Sequence, residues 1–428
     1  MVEIGIKNIY NTKRISARPA GQLNINTEID TAMKKFFALA LAAVISVSAM
    51  TACVKGTENK DKEEPSAPEK TVTEVPKVYY QNPLNGEEQD IDYPWGQRCV
   101  AVMVNNIMSD SFQSAWPQRG ISDADLIFEM ETEGGITRYM AIFRDYTEMP
   151  VVGPIRSARD QFVQNMMPYQ ALYVHDGGST YAKQMLKDWG WDNRDIYPNS
   201  GATFRDTSLY GQRAMEHTEF TSGALITKAV NNPKLGFNTY FEPRNVFNWV
   251  KYDQEPRVLN GQDVSEIYWR FSNSYSATMT YHPETGKYTK VHTNIGKRWS
   301  NQMVDGLRGN APVEFDNVLI LWTEITRYPD GILSKVDLAF GGVGFYFNGG
   351  KVEKVRWLKG QPLEPLRIVS LDGTEQDIEI NIGKTYVAFV DLDYFGAFSF
   401  DGELVDAYGD YIPESEMEVE EGGQEAGE

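Results

Sequence analysis

Three clusters of residues in this chain have the types and spacing to do chemistry on an anion. They are Arg138, the run Arg156-Ser157-Ala158-Arg159, and the run His175-Asp176-Gly177-Gly178-Ser179, with Arg119 and Arg205 as further candidates. Guanidinium groups present a fixed fork of donors that suits phosphate or carboxylate, and each bond to a charged group contributes roughly 1.5 to 3 kcal/mol. A glycine turn between an apolar strand and a Ser-capped helix leaves backbone N–H groups free to meet the same anion. The opposing reading has equal weight, because Glu129, Glu131, Glu133, Asp145 and Asp160 lie close by in sequence and could tie the arginines into ion pairs that only hold the fold. His175 could act as a general base beside Asp176 or Ser179, although a histidine ending a buried strand is more often a satisfied structural residue. The chain has 4 histidines and no nucleophile-elbow or zinc-ligand spacing around them, so hydrolase chemistry has thin support, and no catalytic or metal-ligating residue is assigned. Trp189, Trp191, Tyr197 and Tyr210 could stack on sugar rings if exposed, or seal a core if not.

The elements that must position these groups read as follows. Cys99 to Val104 is an apolar run typical of a buried strand and ends at Asn105-Asn106. Asp125–Glu131 and Thr137–Phe143 flank Gly134-Gly135 as a hairpin. Ser157 is expected to cap a helix, with Asp160 three residues on, which would place two arginines at a helix N-terminus where the dipole favours anions. Ala171 to His175 reads as a strand leading through the glycine turn into a helix from Tyr181 to Trp189.

Helix signals nearly vanish after Lys228, and hairpin punctuation takes over around Glu284–Lys287, Asn348–Gly350 and Asp372-Gly373. The expected fold class is therefore α+β, an N-terminal α/β domain over residues 80–257 followed by a β-rich C-terminal domain over residues 258–400.

Ahead of these lies Met33-Lys34-Lys35 with a short apolar run to Ile45, the pattern of a secretory signal peptide over residues 33–52. It ends at Met50-Thr51-Ala52-Cys53, which resembles a lipobox and makes Cys53 the expected lipid attachment site. Residues 1–32 read as an upstream extension that is not native. Residues 53–79 are charged and proline-bearing, as a flexible linker should be.

Lipidation would hold the protein on the outer face of the cytoplasmic membrane. Cys99, left without a partner, cannot form an intramolecular disulfide. The formal net charge is -19, and residues 401–428 carry 11 acidic and no basic side chains as an acidic tail, a balance that disfavours nucleic acid as a partner.

The order Gly134-Gly135-Ile136-Thr137-Arg138, Gly153-Pro154-Ile155-Arg156-Ser157-Ala158-Arg159, Val174-His175-Asp176-Gly177-Gly178-Ser179 and Phe204-Arg205-Asp206 resembles the YerB-like lipoproteins. Asp316-Asn317-Val318, Gly342-Val343-Gly344, Trp357-Leu358-Lys359 and Gly383-Lys384-Thr385 resemble that family's second domain. The family's histidine segment corresponds here to Glu216-His217-Thr218, which lacks the flanking proline and asparagine. The resemblance implies an exported two-domain lipoprotein and carries no established activity.

A weaker likeness, in the order of Asp125, Arg156–Asp160 and His175–Gly178, is to the LytR-CpsA-Psr phosphotransferases. That likeness implies arginines on a lipid-linked pyrophosphate and acidic residues on a magnesium ion. Two functions are therefore expected to compete. One is a tethered binder of cell-wall polymer or an envelope protein, without cofactor. The other is a phosphotransferase-like enzyme with magnesium.

Overall fold

A computed structural model describes residues 80–89, 98–109, 112–191, 201–237 and 246–405, all within the compact unit Pro76–Glu428. The signal-peptide reading, Cys53, the linker to residue 79, Tyr197 and the tail beyond residue 405 lie outside the described residues.

The strands that build the two main sheets and flank the site, in chain order and leaving out other short ones, are β1 (Val100–Asn105), β2 (Leu126–Glu131), β3 (Thr137–Phe143), β4 (Leu172–Val174), β5 (Thr203–Arg205), β6 (Glu219–Thr221), β7 (Glu266–Arg270), β8 (Tyr275–His282), β9 (Lys287–Asn294), β10 (Trp299–Gln302), β11 (Asn317–Thr323), β12 (Gly342–Asn348), β13 (Lys351–Leu358), β14 (Arg367–Val369), β15 (Thr385–Asp391) and β16 (Ser399–Phe400). Among the described residues the α-helices are α1 (Asp160–Met166), α2 (Thr180–Asp188) and α3 (Gly223–Val230), and residues 246–405 contribute none. The fold is strand-rich and broadly α+β.

A nine-stranded mixed sheet in the order β14-β13-β12-β11-β15-β2-β3-β1-β4 forms the centre. It crosses the boundary suggested near residue 257, because β15 pairs in parallel with β2 on one side and with β11 on the other. Both faces of this sheet are buried at its centre, which is why β1, β11 and β15 read as near-continuous apolar runs rather than alternating ones. On one face Val100, Val102, Ile127, Tyr386 and Ala388 pack with Trp269, Ala277 and Tyr288 of a second, antiparallel sheet ordered β10-β9-β8-β7-β16. On the other, Ala101, Met103, Phe128 and Met140 pack with Phe162, Val163 and Met166 of α1 and Ala182 and Leu186 of α2.

The β2–β3 hairpin turns at Gly134 and Gly135, both with positive φ, as their sequence suggests. Cys99 is buried and its Sγ donates to the Tyr169 carbonyl at 3.2 Å. No helix among the described residues is long and apolar enough to cross a membrane.

Candidate functional site

The two motifs best suited to chemistry are 20 residues apart in sequence and lie side by side in space. After Gly153 the chain runs past the end of β1, with Asn105 N–H donating to Pro154 O at 2.9 Å and Arg156 N–H to Met103 O at 3.0 Å. It then meets the glycine turn. Asp176 N–H donates to Arg156 O at 3.2 Å, Ala158 N–H to Gly177 O at 3.0 Å, and Ser179 N–H to Ala158 O at 3.1 Å.

This pairing keeps residues 154–158 extended, so Ser157 does not cap the helix. Helix α1 starts at Asp160, its N-cap is Arg159, and no side chain caps it. The expected cap is corrected by backbone hydrogen bonds that no local pattern announces. The other cap stands as expected: Ser179 Oγ accepts from Ala182 N–H at 3.0 Å at the start of α2.

Arg138 and Arg159 converge on one carboxylate and are ion-paired there. Glu133, in the β2–β3 turn, takes a bidentate fork from Arg159, Nε to Oε2 at 2.9 Å and Nη2 to Oε1 at 2.8 Å. Arg138 Nη2 donates to the same Oε1, and its Nη1 donates to Ser157 O at 2.7 Å. One carboxylate thus serves two guanidinium groups, and Arg138 Nε is buried with no partner. Burial pushes the Arg138 guanidinium down to about 9, repulsion from Arg159 and Arg156 adds to this, and Glu133 opposes it.

Arg156 reaches outward to Glu216 Oε1 at 2.9 Å, and Arg119 pairs with Asp206 at 2.7 Å. Arg205 spans Glu219 at 2.7 Å and Asp176 at 3.6 Å. Burial, with the nearby Asp176 carboxyl, raises the affinity of Glu219 for its proton, against Thr203 and Arg205.

Of the carboxylates expected to neutralise these arginines, only Glu133 does so. Glu131 pairs with Arg327, Glu129 with Lys290, Asp160 accepts from Tyr328 Oη at 2.6 Å, and Asp145 accepts from its neighbour Thr147 at 2.6 Å. His175 is fully buried, with Nδ1 2.6 Å from Gly177 O, where it braces the glycine turn. Gly177 has φ +71°, and Gly178 forms the bridge to Ala158. Trp189 and Tyr210 are exposed, whereas Trp191 packs against the core beneath Arg98. Among the described residues, no three His, Cys, Asp or Glu side chains stand together as a ready-made metal site.

His217, which sequence reasoning set aside, lies beside Arg156 and Glu216. It is fully buried on the turn Met215–His217, and its Nδ1 accepts from Asn105 Nδ2 at 2.8 Å. Its Nε2 has no hydrogen-bond partner and lies 3.7 Å from Glu216 Oε1. Burial, followed by repulsion from Arg156, pushes the ring down to about 4. Only the assembled fold brings Asn105, Arg156 and His217 together.

Residues 84–236 match the family model described as "Protein of unknown function (DUF3048) N-terminal domain", and residues 267–387 match its C-terminal domain. The chain is 30% identical over 273 residues to "Putative lipoprotein YerB" of Bacillus subtilis (strain 168), covering 61% of this chain and 73% of that protein. The crystal structure of YerB from Bacillus subtilis superposes with a TM-score of 0.59 at 25% identity, covering 75% of this chain and 99% of that one.

Proposed function

This chain belongs to the YerB-like family of two-domain lipoproteins of unknown function, and on that premise we propose that it binds an anionic envelope ligand while tethered by lipid. In this reading Cys53 carries the anchor and residues 53–79 give the folded part its reach from the outer face of the cytoplasmic membrane. The α/β domain, residues 80–257, presents the site, and the β-rich domain, residues 258–400, braces it. The ligand is a cell-wall polymer or an acidic surface of an envelope protein.

The observation that carries this reading is that Arg138 and Arg159 meet at Glu133 beside the segment 156–158, whose backbone pairs with Asp176, Gly177 and Ser179, while Arg156 projects from the same segment towards Glu216. A second reading, a phosphotransferase acting on a lipid-pyrophosphate-linked polymer, is supported by the Asp176 and Glu219 carboxyls that Arg205 spans beside the same turn. In that case the acids would take up magnesium.

Thermal melting with and without a polyprenyl-pyrophosphate analogue, in the presence and absence of magnesium, tests both. Stabilisation that is lost in Arg156→Ala and Arg159→Ala supports the anion site, and stabilisation that also requires magnesium favours the transferase. No shift at saturating analogue in the wild type sinks the pyrophosphate site and leaves a protein partner to be sought.

A further inference from the structure

We propose that the Glu216 carboxylate is a built-in plug over an oxyanion subsite whose donors are the Arg156 guanidinium and the His217 Nε2–H, and that a phosphate-class group binds by displacing it. The inference rests on the anion-binding reading above and assigns that site a further ligand-binding residue and a gate.

The argument starts from the tautomer. Asn105 Nδ2 can only donate, so the His217 Nδ1 that faces it at 2.8 Å is the acceptor, and the proton of the neutral ring sits on Nε2. That N–H is buried and has no hydrogen-bond partner. The Glu216 oxygen it faces is 3.7 Å away, beyond hydrogen-bonding distance. A buried donor left without an acceptor is unfavourable, and most are satisfied.

The same Glu216 oxygen accepts from Arg156 at 2.9 Å, so one carboxylate engages the arginine and misses the histidine. A tetrahedral oxyanion has more acceptor oxygens and a wider span, and one oxygen can take Arg156 while another takes His217.

The local field suits such a guest. Arg156 and Arg213 both act against a positive charge on the His217 ring, with Glu216 as the opposing group. Glu216 is also easy to move. Its side chain is 45% exposed, and its turn is held from behind, where Arg205 Nη1 donates to Met215 O at 2.6 Å. Swinging the carboxylate outward therefore leaves the turn and the imidazole in place. The required group could belong to a free or polymer-borne phosphate or to a lipid headgroup.

Binding of inorganic pyrophosphate to the full chain is measured by titration calorimetry, and binding to phosphatidylglycerol vesicles by flotation, for wild type, Glu216→Ala, Arg156→Ala and the double variant. The expected result is pyrophosphate affinity at least tenfold higher in Glu216→Ala, erased in the double variant, with the His217 Nε2–H proton resonance shifting on binding. A gain confined to vesicles assigns the subsite to a lipid headgroup. A Glu216→Ala protein that binds neither probe more tightly, a gain that survives loss of Arg156, or an unmoved His217 resonance at saturation overturns the plug. If wild-type binding depends on Arg156 but is indifferent to Glu216, the anion site stands and the plug falls. If no variant binds either probe, both fall.

Discussion

Lys290 Nζ lies 2.7 Å from Glu129 Oε2, and neither side chain has any exposure to solvent. Glu129 stands on β2 and Lys290 on β9, so the pair joins the central sheet to the second sheet across their shared core. The remaining acceptor capacity of Glu129 is filled by Thr137 Oγ1 at 2.6 Å, Asn106 Nδ2 at 2.9 Å and the Tyr386 hydroxyl. Lys290 also donates to Tyr139 Oη at 3.1 Å and to His292 Nδ1 at 3.4 Å. Burial lowers the Lys290 pKa and Glu129 pulls it back. A buried ion pair contributes little net stability against an apolar replacement, but a buried charge left alone is very unfavourable.

Lys290→Met or Glu129→Gln alone is therefore expected to cost about 3–5 kcal/mol, and the double variant less than the sum. Urea unfolding with a double-mutant cycle checks this. A loss below about 1 kcal/mol for either single variant would mean that the pair is not desolvated as described.

Two of the buried histidines, His217 and His292, give a pH signature. His217 is pushed down to about 4, and His292 well below the usual value, in both cases mainly by burial. A base whose folded pKa is depressed stabilises the fold where its unfolded form is also neutral, above about 6.5, and loses that contribution as pH falls towards the folded value. Asp125 and Asp391, both raised to about 6 by burial, work the other way, adding stability as pH falls from about 6 towards 3.8. The opposed trends partly cancel in a melting curve, so the check is residue-resolved. In NMR titration both rings are expected to remain neutral at pH 5. Protonation of His217 above pH 5.5 would contradict its burial.

How much of this was legible in the sequence depends on how local each cause is. The β2–β3 hairpin, the β8–β9 hairpin around Gly286 and the β12–β13 hairpin around Gly349 are set by their own turn residues, and the sequence shows them. The Ser179 cap is likewise local. The Ser157 cap failed because Met103 and Gly177, far off in sequence, hold that backbone extended. Glu129 reads in sequence as a partner for nearby arginines, yet its charge is answered by Lys290 from the other half of the chain. The choice among acceptors is made by tertiary packing, to which spacing within one strand is blind.

Cys99 is expected to be chemically silent in the native protein. Burial pushes its thiol up to about 12, so almost no thiolate is present at neutral pH. Iodoacetamide followed by peptide mapping should leave Cys99 unmodified in buffer and label it fully in denaturant. Labelling within minutes under native conditions would show that the end of β1 opens far more readily than its packing allows.

Gly177 links the two halves of the candidate site, and its substitution separates folding from binding. Its φ of +71° is a left-handed conformation that costs an L-residue such as alanine roughly 1–2 kcal/mol, whereas asparagine tolerates it better. A Cβ there would stand 3.3 Å from Ser157 Oγ, tight enough to press on the segment that carries Arg156 and Arg159. Gly177→Ala is thus expected to remain folded, to lose about 1–2 kcal/mol, and to lose most of any pyrophosphate-induced thermal shift, while Gly177→Asn loses less stability. Melting curves with and without pyrophosphate measure both quantities at once. If Gly177→Ala melts like the wild type and keeps the full shift, then the left-handed turn is not what aligns Ser157 with the arginines, and the binding geometry must be sought elsewhere on this face.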